Sequence, residues 1–373
     1  MMDKTKQRIP AIEYIRGVSM LGVVGIHVGS QYLGNPSPNL ALVAFFEIAT
    51  RFAVPIFFFI SAFGLFYHLD MDASFDYRAF LRRRAKTVLV PYLVWSVFYM
   101  LHYTVLYRDT MLLHLSVLAK YLFFGFGSYQ LYFMVILLWF YLLMPLWIWL
   151  VRRMTLSRLA ALLVLQIAFD YWSSFLFNAY AIENPYLRAL AVNRLNYWVL
   201  HYVFIFVLGG WLAVRFDSFR AFMERRRFAL AAFFAASFAS MLGYYYWLIL
   251  VRGYDAIGAI NTAHQLCPLG VIYTLAASLF LFALFTPDAP FAAFRPLLSF
   301  LGRHSYFVYL AHPLTITYLG LILARTGRVM TAPIALAFYA AVVLLTLGAA
   351  VAVRNIGERL PWVNGLTIGV WKK

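Results

Sequence analysis

The stretch APIALAFYAAVVLLTLGAAVAV, Ala332 to Val353, contains no charged residue and is followed at once by Arg354. As a helix rising 1.5 Å per residue it extends roughly 33 Å, enough to cross the hydrocarbon core of a bilayer. Comparable apolar runs lie upstream, near residues 12–33, 43–67, 87–107, 130–151, 157–178, 196–214, 228–250, 262–286 and 304–324. The expected fold is therefore an all-α polytopic membrane protein of about ten transmembrane helices. Residues 111–124 form another apolar run, too short to cross comfortably and followed by Gly125 and Gly127, so a re-entrant or interfacial helix is expected there.

Composition supports this. Of 373 residues, 64% are apolar and 12% charged, against roughly 45–50% and 25% in soluble domains. No connection is long enough for a separate soluble domain, so residues 1–373 read as one integral membrane domain. The basic N-terminus leads into an apolar run that continues past signal-peptide length without a convincing cleavage site, which makes it an uncleaved first span. The one cysteine, Cys267, sits in an apolar stretch and permits neither an internal disulfide nor a thiolate zinc cluster. No metal site is expected.

The net charge of +17 has no soluble basic domain in which to bind nucleic acid, so membrane lipid, not nucleic acid, is the expected partner. Short cytoplasmic loops are enriched in Lys and Arg. With the N-terminus inside, the cytoplasmic side collects Lys4, Lys6, Arg8 and Arg16, then Arg78, Arg82, Arg83, Arg84 and Lys86, then Arg152, Arg153 and Arg158. The later inside segments add Arg215, Arg220, Arg225, Arg226, Arg227, Arg295, Arg303, Arg354, Arg359, Lys372 and Lys373. Only Arg108, Lys120, Arg188, Arg194, Arg252, Arg325 and Arg328 fall on the other side, with Arg51 inside a span. Both termini are expected in the cytoplasm, and the protein in the cell membrane.

Charge inside a bilayer is costly and marks candidate functional positions. Glu13 and Arg16 lie one turn apart at the inner end of the first span. His27 follows Arg16 by eleven residues, about three turns and roughly 16 Å, so the two share a face. Glu47 and Arg51, spaced i and i+4 in the second span, can pair, and their expected depth matches that of His27. Ser305, Tyr309 and His312 share one face of the ninth span. His201, His264 and Asp170 are placed nearer the outer side. Each also has a purely structural reading, as a histidine satisfied between helices or a neutralised pair that locks two of them. Arg82, Arg83, Arg84 and Lys86, like Arg225, Arg226 and Arg227, set topology and attract anionic lipid. Alternatively they hold a phosphorylated cytosolic cofactor, for which the planar guanidinium fork is well suited.

Several segments together resemble the acyltransferase-3 family, membrane O-acyltransferases of bacterial surface polysaccharides and related glycans. Ile12-Glu13-Tyr14-Ile15-Arg16-Gly17 followed by His27 is similar to the family's opening pattern, and Arg51-Phe52-Ala53-Val54-Pro55-Ile56-Phe57-Phe58-Phe59-Ile60-Ser61 to its second-span pattern. Phe80 to Arg84 with Pro91-Tyr92 resembles the basic loop that opens the third span. Leu301-Gly302 through Ser305, Tyr306, Tyr309, Leu310 and His312-Pro313 resembles the stretch near the C-terminus. Departures are Ala62 where the family usually has glycine, Gln130-Leu131-Tyr132-Phe133 in place of a His-Leu-Trp-Phe-like stretch, and the displaced Lys86 with Thr87 nearer the proline. With no appended hydrolase-like domain, the chain resembles the stand-alone branch.

The resemblance implies acyl transfer, acetyl above all, from cytosolic acyl-CoA to a hydroxyl of an extracytoplasmic glycan. It casts His27 as general base or acyl carrier, Glu13 as the residue orienting Arg16, and Arg16 as stabilising the donor or the inner end of its path. Glu47, Arg51 or His312 would orient His27 or stabilise the oxyanion. Arg82, Arg83, Arg84, Lys86 and Ser61 would bind the acyl-CoA. The alternative functions are a transporter of a glycan or lipid-linked sugar without acyl transfer, and a structural partner of a synthase complex. Consumption of acetyl-CoA separates the first reading from both. Oligomeric state, a dimer included, stays open.

Overall fold

Pro10 opens helix α1 (Pro10–Tyr32), where its missing N–H is no loss and its fixed φ suits the first turn. The computed structural model describes residues 8–286 and 292–371, so Lys4, Lys6, Lys372 and Lys373 lie outside the described residues. The second span is a composite. A single turn, α2 (Leu40–Val43), is capped by the Asn39 side chain and passes through a π-helical stretch, Ala44–Ile48, and an irregular turn into α3 (Ala53–Tyr67). The third span begins earlier than its apolar run. Asp76 accepts from the Ala79 N–H at 2.9 Å and starts α4 (Tyr77–Arg84), which continues through π-helical Ala85–Leu89 into α5 (Val90–Tyr107). Arg82, Arg83 and Arg84 are therefore helical, not part of a loop. The short helix α6 (Leu115–Phe124) follows, only about 15 Å long.

The fourth expected span, 130–151, is broken: α7 (Tyr132–Leu142) and α8 (Met144–Arg153) meet at 67°. Pro145 accounts for the bend, because it has no N–H for the Tyr141 carbonyl and its ring crowds that turn. The fifth span is α9 (Leu156–Tyr171) with π-helical Trp172–Leu176, followed by the short helix α10 (Pro185–Val192). The sixth, expected over 196–214, is a tight turn, Val199–Tyr202, leading into α11 (Val203–Val214); it is shorter than the roughly 20 residues of a full crossing. In α12 (Phe216–Leu250), Arg226 has φ −112° and ψ 15°, a kink that divides the basic start from the apolar remainder. Helices α13 (Ala256–Thr262), α14 (Pro268–Phe285), α15 (Arg295–Arg325), α16 (Ala332–Arg359) and α17 (Pro361–Ile368) complete the chain. Among the described residues eight helices are long and apolar enough to cross a membrane, or nine with the bent pair. The chain is an all-α polytopic membrane protein. The broken fourth and shortened sixth segments account for the difference from the expected ten.

Helix α1 packs against α3, α14, α15 and α16. Its contact with α15 is parallel and unusually close: a Cβ on Gly302 would lie 2.1 Å from the Glu13 carbonyl oxygen, and one on Gly17 2.8 Å from Leu301 Cβ. Lipid tails provide no hydrophobic drive for helices to pair, so close packing at small residues supplies the attraction instead. Helix α3 lies antiparallel to α1, with Gly22 against Ala53. These two contacts determine which side chains meet inside the bundle.

Candidate active site

The parallel register of α1 and α15 matches the spacing of their polar residues. Gly17 meets Gly302, and ten residues further along both helices His27 meets His312. The two imidazoles stack with centroids 5.2 Å apart and planes 23° from parallel. Tyr129 packs on His27 at 4.4 Å, tilted by 48°. His312 is fully buried, with Nδ1 3.0 Å from the Val308 carbonyl oxygen. A carbonyl only accepts, so Nδ1 is the donor, and Nε2 has no partner. Pro313 comes next in the chain and relieves the Tyr309 carbonyl of its helical partner.

Glu47 and Arg51 pair at 3.3 Å, with Glu47 on the π-helical stretch and Arg51 on the turn after it. Ser30 donates to Glu47 Oε1 at 3.3 Å, and a Cβ on Gly29 would come within 2.9 Å of the same oxygen. Glu47 thus ties the second span to α1 just beyond His27. Arg51 donates to the Ile260 carbonyl at 2.9 Å, but its Nε is buried without a partner. The two members of the pair are placed differently. Arg51 lines a cavity together with His27, Phe57, Gln130, Gln265 and Tyr309, while Glu47 is buried behind it.

From this cavity one stripe of α3 stays accessible. Val54, Phe57, Ser61 and Gly64 are half-buried while most of their neighbours are buried, and their i, i+3, i+7, i+10 spacing places them on one face. Nothing lies within 4 Å of a Cβ on Gly64. Since Gly22 faces Ala53, Arg16 stands level with the Phe59–Ser61 turn. The Arg16 side chain is exposed there.

Arg16 lies within electrostatic reach of Tyr141, Glu13, Arg8 and Arg84. Among the described residues the ion pairs within 4.0 Å are Glu47–Arg51, Asp170–His201 and Arg220–Glu224; Glu13 and Arg16 form none. Arg84 packs its guanidinium over Phe80 at 5.3 Å and Tyr141 at 5.2 Å, and its Nε is buried without a partner. Arg82, Arg83 and Lys86 are exposed, and the Lys86 carbonyl accepts from Trp371 Nε1 at 2.9 Å. Of the four basic residues, then, the fold turns Arg84 inward toward Arg16.

A family model described as an acyltransferase domain matches residues 9–354. The chain belongs to the acyltransferase-3 family. No curated protein and no solved structure matches it. This acyltransferase-3 chain is a multi-pass membrane acyltransferase, and the matched region includes His312, Arg84 and the cavity lined by His27 and Arg51.

Three cavity neighbours were not among the candidates read from the sequence. Gln130 stands where the family resemblance leads one to look for histidine, and it reaches the Leu310 carbonyl at 3.1 Å while its Oε1 has no partner. Gln265 occupies a short irregular link between α13 and α14. Tyr129 precedes Gln130. The available signal was the same for both glutamines, a carboxamide in an otherwise apolar stretch, but a neutral polar group stands out less in a hydropathy reading than a charge.

Proposed function

We propose that this protein moves an acyl group, acetyl in the first instance, from cytosolic acyl-CoA to a hydroxyl of an extracytoplasmic glycan. The observation that carries the proposal is that His27, stacked on the buried His312, lines a cavity that also receives Arg51. The stripe from Val54 to Gly64 offers a path for the acyl-bearing arm from the arginine-rich end, and Arg84 and Arg16 are the cations beside that path. Arg82, Arg83 and Lys86 surround its mouth, where their donors suit the CoA phosphates. Ser61 lies along the path.

In the direct route, His27 takes the proton of the acceptor hydroxyl as its oxygen attacks the thioester carbon. The C–S bond breaks, and the departing CoA thiolate takes that proton. In the two-step route His27 first accepts the acyl group on nitrogen, releasing CoA, and the acceptor then attacks the acyl-imidazole. In either case negative charge builds on the carbonyl oxygen, and the unpartnered Arg51 Nε–H is the donor for it. His312 holds the His27 ring in place by stacking. Loss of a general base costs about 10²- to 10⁴-fold in rate. His27→Gln, compared with His27→Ala, is therefore expected to abolish acetyl-CoA consumption by the purified protein and glycan acylation in cells. Correctly inserted variants that still acylate would remove His27 from the chemistry.

A further inference from the structure

Beside the His27 cavity lies a second group of buried polar side chains. Asp170, near the end of α9, and His201, just before α11, are fully buried with Oδ1 and Nδ1 2.7 Å apart. Both sit at the ends of their elements remote from Arg158 and Arg215, and so away from the arginine-rich end. Gln166 fixes the carboxylate, its Nε2 donating to Asp170 Oδ2 at 2.9 Å while its Oε1 accepts from the Phe204 N–H at 3.1 Å. A carboxylate only accepts, so His201 Nδ1 carries a proton and Nε2 presents a lone pair. That Nε2 is buried and has no partner.

His201 lines a small cavity with Pro55, Gln265 and Thr274. Thr274 Oγ1 is also buried and unpartnered. The same small space therefore holds an acceptor with nothing to accept and a hydroxyl with nothing to donate to. One O–H group satisfies both, giving its proton to Nε2 and accepting from Thr274. Gln265 lines this cavity and the His27 cavity alike, and Pro55 and Val54 are adjacent wall residues of the two.

Resting on the acyl-transfer reading above, we propose that His201, positioned by Asp170, is the base that deprotonates the acceptor while His27 carries the acyl group. The two-step route requires a second base, because an acylated imidazole has lost most of its basicity and cannot both hold the acyl group and take the acceptor's proton. The O–H bond breaks and an N–H bond forms at His201 Nε2, with Asp170 stabilising the imidazolium. The freed oxygen attacks the acyl carbon, the acyl–nitrogen bond of His27 breaks, and the proton taken by His201 returns through water to the leaving His27 nitrogen, which restores both imidazoles. In the earlier acylation step, the departing CoA thiolate takes the ring proton that His27 loses as its nitrogen is acylated. The O–H group in the small cavity is either the acceptor's own hydroxyl or a water that passes the acceptor's proton on.

The test uses the purified full-length protein in detergent, with acetyl-CoA as donor and methyl α-D-glucoside as a simple hydroxyl acceptor. Free CoA and acetylated glucoside are followed over time and across pH. His201→Gln and Asp170→Asn are expected to release about one equivalent of CoA per protein and then stall, with turnover down by at least about 10²-fold and the acidic limb of its pH profile lost. His27→Gln is expected to lose the burst as well. Thr274→Val keeps the side-chain shape and guards against a folding defect in the other variants. A raised KM for the glucoside in Thr274→Val identifies the pocket's O–H group as the acceptor's own, whereas a lowered kcat at unchanged KM identifies a water; either outcome supports the proposal. Folded His201→Gln or Thr274→Val protein turning over at the wild-type rate overturns it, as does loss of the burst in His201→Gln. Wild-type protein that never releases CoA from acetyl-CoA would instead refute the acyl-transfer reading itself.

Discussion

Gly302→Ala tests the geometry on which the site depends. The added Cβ would lie 2.1 Å from the Glu13 carbonyl oxygen, and ordinary contact begins near 3.4 Å, so the backbones of α1 and α15 must separate by roughly 1.3 Å. The obstacle is backbone, not a flexible side chain that can turn away. Overpacking of this kind costs about 1–3 kcal/mol, which a protein of this size survives, but the displacement passes directly to the His27–His312 contact ten residues along. A misplacement of about 1 Å in a reacting constellation costs on the order of 10²-fold in rate. Gly302→Ala is thus expected to insert and fold with a lowered melting temperature and to consume acetyl-CoA about 100-fold more slowly than wild type. The control is Gly320→Ala on the same helix, where nothing lies within 4 Å of the new Cβ; it should retain full activity. If Gly302→Ala, folded and inserted, works at the wild-type rate, the helix register does not set the catalytic geometry and the argument fails.

Two further predictions separate residues that look equivalent in the sequence. Glu47→Gln leaves the Arg51 guanidinium without its buried carboxylate, and breaking such a pair costs about 3–5 kcal/mol; thermal unfolding in detergent should show the loss, and an unchanged melting temperature would mean that the pair does not lock α1 to the second span. Arg84→Met should raise the acetyl-CoA KM by about 10- to 100-fold, equivalent to a lost charge-assisted hydrogen bond of about 1.5–3 kcal/mol, whereas Arg82→Met, on the exposed side of the same helix, should change it much less. Equal effects from the two arginines would show that the inward turn of Arg84 is unimportant for the donor.

The long spans were legible because a run such as Ala332–Val353 has only one way to satisfy its backbone in lipid. The bend at Pro145 was harder to see. Tyr132 to Leu150 is apolar throughout, and averaging hydropathy over a helix length cannot register a 67° change of direction. The spacing of Arg16 and His27 put them on one face whatever α1 packed against. Their partners were a different matter, since the meeting of His27 with His312 depends on contacts between residues nearly the whole chain apart. Asp170 and His201 were placeable by depth, but their 2.7 Å contact depends on how α9 crosses the start of α11, and no periodicity within either segment encodes that crossing.

The irregular segments share one location. Arg51 lies on the turn that interrupts the second span, Gln130 on the link before α7, and Gln265 on the link between α13 and α14, yet all three line the cavity that holds His27. At membrane depth, backbone outside regular helices leaves N–H and C=O groups that lipid cannot satisfy, so it persists only where it is buried in protein or borders a polar space. Three unrelated breaks converging on one cavity are therefore hard to explain as packing defects, each of which would need its own compensation. A polar space between helix ends is what a reaction requires when its donor and acceptor approach from opposite sides of a bilayer. Each break costs a span some regularity and contributes a hydrogen-bonding side chain at the level of the histidines. On this argument, changing Thr50 and Arg51 both to alanine should raise the helicity of that segment in far-ultraviolet circular dichroism while lowering acetyl-CoA consumption, since the turn's cation no longer reaches the cavity; wild-type consumption by the folded variant would show that the break serves no reaction.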